Sequence, residues 1–373
     1  MKSKNNDSIK FPLMGYAGYG ITKFFNSFKS ISLLFDRIET MFLFNDIKKL
    51  DIDRPIYITG LARAGTTIIL EMLNKHPDLA SHKYKNILMP YLPDWFSQMA
   101  DRFNFYTKPF ERLHRDGIIV TSESPEAVEE IFWQKFFNNL HNEKVSNIIS
   151  RNDSNAKFEK FYLNHIKKLI INQKCSRYLA KNNYLVSRLD YMLKIFPDSK
   201  FLLIIRNPIE HIASLIKQTK LFIKLEQKIP LLPDWLKIVG HNEFGRNQMC
   251  INLGNTELIN EIHKLWRSKN TYVKGWAYYW TSIYDFIAKQ LETIKKLKKA
   301  TLIVKYDELC ETPAIIIDKI FEHTELPAEK FENAKKYYIE NLHKPTYYTP
   351  DFSKQELSDI CKITEGTASR FGY

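Results

Sequence analysis

No stretch of this 373-residue chain approaches the ~20 consecutive apolar residues of a membrane-spanning helix. Cysteine is scarce as well. The four present, Cys175, Cys250, Cys310 and Cys361, are scattered and form no C-x-x-C pair. That pattern argues against a disulfide scaffold or a thiolate metal site, and a reducing compartment is expected. Internal repeats and low-complexity linkers are absent too, which leaves one main domain with insertions as the simplest organisation. The net charge of +13 calls for an anionic partner. Yet no basic module interleaved with stacking aromatics is found, so nucleic acid is not the expected one. The densest cluster, Lys295-Lys296-Leu297-Lys298-Lys299, reads as a solvated helix face. The first residues are basic, but Gly15, Gly18 and Gly20 follow without a compact apolar region. A secretory leader is therefore not expected, and a cytoplasmic location is.

What is present is a packing composition, 44% hydrophobic and 14% aromatic, in a chain long enough for a sizeable core. Residues 8–50 read as an amphipathic helical lead-in. Its part 21–44 suits either a helix on the core or peripheral membrane contact. Strands are expected at 55–59, near Leu79–Tyr84, at 201–205 and at 300–306. Helices are expected at 66–75, from Ser124 and Pro125 onward, at 156–172, in the stretch leading to Leu193, from Gly275 to about Lys298, and at 313–323. Residues 90–120, with Trp95, Phe103, Phe105, Tyr106 and Phe110, read as irregular cover over a pocket, and 221–270 as an insertion. Strands alternating with helices imply an α/β fold, a doubly wound and mainly parallel sheet with helices on both faces. The expected division is 1–50 for the lead-in, 51–345 for the main domain and 346–373 for a C-terminal extension.

The most informative segment is Ile56 to Thr67. A β-branched run ends at Gly60, and a helical pattern starts after Thr67. Between them lies Gly60-Leu61-Ala62-Arg63-Ala64-Gly65-Thr66-Thr67, a glycine loop that aims backbone N–H groups and a helix N-terminus at one spot, which suits a phosphate-like anion. The glycines have the G-x-x-x-x-G spacing of nucleotide triphosphatases. Thr66 stands where those enzymes need lysine, and the cation, Arg63, is inside the loop.

This loop resembles the 5′-phosphosulfate loop of sulfotransferases, P-[KR]-[SA]-G-T-T. A second element fits the same family: the apolar strand Phe201–Ile205 runs into Arg206-Asn207-Pro208, with Ser214 eight residues after the arginine. The resemblance spans roughly residues 55–325. It implies a P-loop-like sulfotransferase fold with helical insertions and 3′-phosphoadenosine-5′-phosphosulfate (PAPS) as co-substrate. It also implies that Gly60, Arg63, Ala64, Gly65, Thr66 and Thr67 bind the 5′ side, with Arg206 and Ser214 on the 3′-phosphate. No metal is implied. Two departures stand out: Ala64 replaces the loop serine, and the R-K-G-x-x-G-D-W motif of the cytosolic branch is missing from the C-terminus.

Arg63 is the expected catalytic cation. The acceptor, a hydroxyl or amine of a small molecule, saccharide or lipid, needs a general base. Candidates are Glu126 and Glu129, in Ser124-Pro125-Glu126-Ala127-Val128-Glu129-Glu130, and His114 and His82. That stretch resembles the D-S-P-E-A-x-E-E segment of a bacterial sulfotransferase branch, and on a helix Glu126 and Glu130 share a face. Lys181-Asn182-Asn183, Gly240-His241 to Gly245, and Gly275-Trp276 to Trp280 are further pocket elements of that branch. The alternatives are a P-loop kinase-like enzyme, or a non-catalytic nucleotide- or membrane-binding protein.

Overall fold

The computed structural model describes residues 15–105, 107–344 and 349–373. Residues 1–14, Tyr106 of the aromatic stretch, and the 345–346 division lie outside the described residues. Five parallel strands make the central sheet: β1 (Ile56–Thr59), β2 (Leu79–Ala80), β3 (Arg177–Lys181), β4 (Lys200–Ile205) and β5 (Thr301–Lys305). Their order is β2-β3-β1-β4-β5. Tyr57 of β1 pairs with Ala180 on one side and Phe201 on the other, and Leu203 of β4 pairs with Ile303. Every residue of β1 and β3 is buried, and all of β4 but Lys200. Helices pack on both faces, which explains why β1 and β4 read as unbroken apolar runs. The chain leaves β1 first to one side and later to the other. The carboxyl ends of β3, β1 and β4 therefore open on one crevice, where ligands of such sheets bind.

Two helices spring from that edge. Thr66–Leu73 follows the glycine loop, and Pro208–Lys228 follows β4, with Pro208 in its first turn and the Asn207 side chain accepting from the Ile209 N–H. The C-terminal helix Lys354–Ala368 packs along Tyr272–Thr293. Arg370 ties this end down through Asp285 and Glu292, at 2.5 and 2.8 Å. The Tyr373 hydroxyl donates to Asp307 just past β5, at 2.7 Å.

Several expectations need correction. Residues 93–102 are a helix, with Pro93 in the first turn, and not irregular cover. The insertion 221–270 holds the end of Pro208–Lys228 and the helices Leu232–Val239 and Thr256–Trp266. β3 was not expected as a strand. No helix starts at Ser124, because that backbone is used sideways. The Ser124 and Ser122 carbonyls accept from Tyr84 and Lys85, and the Glu126 N–H donates to the His82 carbonyl. The helix begins only at Glu130, so Glu126 and Glu130 share no helix face.

Glu130 instead turns inward. It accepts both Arg188 terminal nitrogens at 2.8 and 2.9 Å, the Asn182 amide at 2.9 Å and the His141 ring at 2.6 Å. The Arg188 guanidinium lies over Trp133. This buried cluster fastens the segment after β3 to the helix at Glu130. Removing one partner of a buried pair costs roughly 3–5 kcal/mol. Arg188→Ala is accordingly expected to lower the urea midpoint by that much stability, and an unchanged midpoint would show that the cluster does not hold the fold.

Candidate active site

The glycine loop crosses the end of β1 and closes under β4 and β5. Gly60 has φ +144°, and a Cβ there would sit 2.3 Å from the Ile204 carbonyl oxygen. Gly65, φ +106°, lies against the Tyr306 ring, where a Cβ would come to 2.3 Å. Only glycine fits either place. Gly65 also caps the Thr66–Leu73 helix without a side chain, which leaves the first-turn N–H groups facing the cleft. Arg63, at φ +72°, occupies the left-handed region. That conformation costs a non-glycine residue roughly 1–3 kcal/mol and persists only where its surroundings enforce it.

The enforcing contacts are visible. Arg63 donates to Asp116 at 2.8 Å and to the Ser214 hydroxyl at 3.3 Å. Asp116 sits in the turn of the hairpin Phe110–Glu111/Ile119–Val120 and also accepts from Nε and one terminal nitrogen of Arg112. Burial alone would raise the Asp116 pKa. The Arg112 hydrogen bonds and charge, with the Arg63 charge, outweigh it and hold the carboxyl well below the usual range. Arg112 reaches on to the Thr67 hydroxyl at 3.2 Å. Arg206 comes in from the end of β4, paired with Glu210 at 2.8 Å and lying over Tyr306.

These groups line a cleft of about 350 Å³ that contains Arg63, Gly65, Thr66, Thr67, Arg112 and Arg206. Asp116 is its one lining carboxylate among the described residues. A positive cleft with an open helix N-terminus and a cradle too tight for a Cβ fits a polyanion such as PAPS. Gly60 and Ala64 shape the loop without lining this cleft, and the Ala64 N–H is spent on the Leu61 carbonyl. Ser214 is buried behind Arg63.

A second pocket shares Arg112 with the cleft. It is lined by Tyr84, Phe110, Phe222, Trp235 and Phe244, with Glu126, His114, His241 and Glu243 among them. Two of the expected bases are thus brought together there, but they differ in kind. Burial, then the charges of Arg112 and Arg63, push His114 well below the ordinary imidazole value, which makes it a poor proton acceptor. The Glu126 side chain lies at the pocket wall and accepts from the Ala127 N–H at 2.6 Å. Glu243 is held by the Asn183 amide at 3.0 Å, and Asn183 lies 3.4 Å from the Thr66 hydroxyl, which links it to the loop.

The other two candidates are not in the site. His82 is 2% exposed, and its ring nitrogens meet Tyr178 at 3.0 Å and His165 at 2.8 Å. Burial pushes its pKa down to about 3. Glu129 is equally enclosed, bonded by the Tyr162 and Tyr178 hydroxyls, and burial raises it to about 7. Both belong to a polar knot inside the core.

Sequence reasoning passed over Lys181 as a reacting group. It ends β3 beside Ile58 and is buried. Burial lowers its pKa, while the charges of Glu126 and Glu243 raise it and those of Arg112 and Arg63 oppose them. A lysine closing a buried strand was the signal that could have found it. Away from the site, Glu143, Cys250 and His263 lie within metal-binding spacing. Glu143 there accepts from the Cys250 N–H and from His263, so hydrogen bonds account for the trio.

Residues 55–228 match the sequence model of the sulfotransferase family. That stretch is similar to sulfotransferase-family sequence. It contains the glycine loop, the Asp116 hairpin, Lys181, Arg206 and Ser214. No curated protein matches the chain in sequence. Among solved structures, sulfotransferase STF1 from Mycobacterium tuberculosis H37Rv is 16% identical, with 95% of this chain and 86% of that one covered and a TM-score of 0.48. Sulfotransferase STF9 from Mycobacterium avium is 14% identical, with 90% and 81% covered and a TM-score of 0.52. The likeness to STF9 extends the sulfotransferase fold beyond the matched stretch.

Proposed function

We propose that this protein is a sulfotransferase that moves a sulfuryl group from PAPS to an acceptor hydroxyl or amine. The observation that carries this reading is the lysine-less glycine loop opening on a cleft lined by three arginines, at the switch point of the sheet. PAPS supplies the sulfuryl group. The Gly65–Thr67 backbone and Thr67 hydroxyl hold its 5′-phosphate side, and Arg206 takes the 3′-phosphate. Arg63, freed from Asp116 by a competing anion, faces the bridging oxygen as the sulfur–oxygen bond to phosphate breaks. Lys181 steadies the equatorial sulfuryl oxygens. Glu126 or Glu243 accepts the proton as the acceptor's oxygen or nitrogen bonds to sulfur, and 3′-phosphoadenosine-5′-phosphate (PAP) leaves. The aromatic walls of the second pocket suit the faces of a saccharide or the apolar part of a glycolipid.

Arg206 gives a test of donor orientation. A charge-assisted hydrogen bond contributes roughly 1.5–3 kcal/mol, or about ten- to hundredfold in affinity. Arg206→Ala should weaken PAP binding by that factor while hardly affecting adenosine 5′-phosphosulfate, which lacks the 3′-phosphate. Titration calorimetry with both ligands decides it, and equal losses would make Arg206 a structural residue.

A further inference from the structure

The helix Lys29–Phe42 is mounted with its polar side inward. Its buried residues are Ser32, Asp36 and Glu39. Ile31, Leu34, Phe35, Met41 and Phe42 are exposed, the last two at 75% and 74%. Phe24, Phe28 and Phe44 extend the same apolar surface along the neighbouring helices. A helix on the surface of a globular protein normally shows the opposite arrangement.

The mounting is locked by chemistry. Lys168 is fully buried and donates to Asp36 at 2.7 Å and to Glu39 at 2.9 Å. Glu39 also accepts from the N–H groups of Asp94 and Trp95, at 3.2 and 2.7 Å, at the start of the Pro93–Arg102 helix. Rolling the apolar side inward would strand a buried ammonium away from its counter-charges, a costly state. The apolar face therefore stays outside, and a continuous surface of this kind marks an interaction site.

We propose that this face docks on an anionic lipid bilayer. Lys29, Arg37, Lys48 and Lys49 are exposed around it, against Asp46 as the one exposed acid between residues 15 and 49. In a twofold contact between copies the same patch meets itself, and such a cationic rim would oppose itself. Toward anionic headgroups the rim attracts while the aromatic and aliphatic side chains enter the acyl boundary. The contact lies on the bilayer: no helix among the described residues is long and apolar enough to cross a membrane. The adjoining helix Gly15–Ser27 is joined to Leu232–Val239 by a 2.6 Å hydrogen bond from Tyr19 to Asp234. Trp235 and Leu236 of that second helix line the aromatic pocket.

The test is co-sedimentation of the full chain with vesicles of phosphatidylcholine alone or mixed with phosphatidylglycerol, at low and high salt. Binding to the mixed vesicles should exceed binding to the neutral ones at least about tenfold and weaken with salt. Leu34→Ser combined with Phe42→Ser should lose it at an unchanged thermal midpoint, and Lys48→Glu with Lys49→Glu should lose the preference for anionic lipid. The proposal is overturned by failure of the native chain to sediment, or by native-like binding in both variants. Light scattering that shows a dimer dissolved by the serine pair would overturn it too. The readout is binding alone, so it is independent of the chemistry assigned to the cleft.

Discussion

Glutamine in place of Glu126 or Glu243 is expected to cut turnover about 10²- to 10⁴-fold in one of the two variants, with donor affinity retained. The range is what a positioned general base contributes. Both carboxylates line the aromatic pocket, which shares Arg112 with the cleft. Glutamine keeps the shape and much of the hydrogen bonding but cannot take up a proton. Steady-state kinetics beside PAP titrations separates lost chemistry from lost binding. Native turnover in both variants would exclude these acids and point to His241, which lines the same pocket 3.8 Å from Glu243.

The second large effect belongs to Arg63. Removing a preorganised donor that meets developing charge costs roughly 2.7–4 kcal/mol, or about 10²–10³ in kcat. Arg63→Ala should show that loss with a much smaller change in PAP binding, because the guanidinium acts mainly on the breaking bond. It should also leave Asp116 bound to Arg112 alone. Lys181→Met should give the same signature. Near-native turnover in Arg63→Ala would take this residue out of the mechanism and leave it as a loop clamp.

What was legible in the sequence follows from how local the signals are. The β1–loop–helix unit and the β4–Arg206 unit announce themselves because each is a short apolar strand, a turn and a helix start in one continuous segment. β3 was hidden because Arg177-Tyr178-Leu179-Ala180-Lys181 is short and has charged ends, and its burial is visible only once β1 and β2 flank it. Ser124-Pro125-Glu126 carries the marks of a helix start, yet tertiary pairing with residues 82–85 claims that backbone. The same pairing sends Glu126 to the pocket and Glu129 into the core. His82 follows the first βα unit in sequence, but its side chain faces His165 across a buried contact between segments 83 residues apart. Hydrophobic spacing revealed the helices between residues 15 and 49 and could not say which side is buried, since that depends on Lys168.

Ligand-dependent thermal stability tests the central claim most directly. A ligand bound only by the folded state stabilises it by RT ln(1 + [L]/Kd), about 2.7 kcal/mol at a hundredfold excess over Kd. PAPS and PAP should each raise the unfolding temperature, Arg206→Ala should blunt the shift, and ATP with magnesium should give little. A shift with ATP and magnesium but none with PAP would contradict the account.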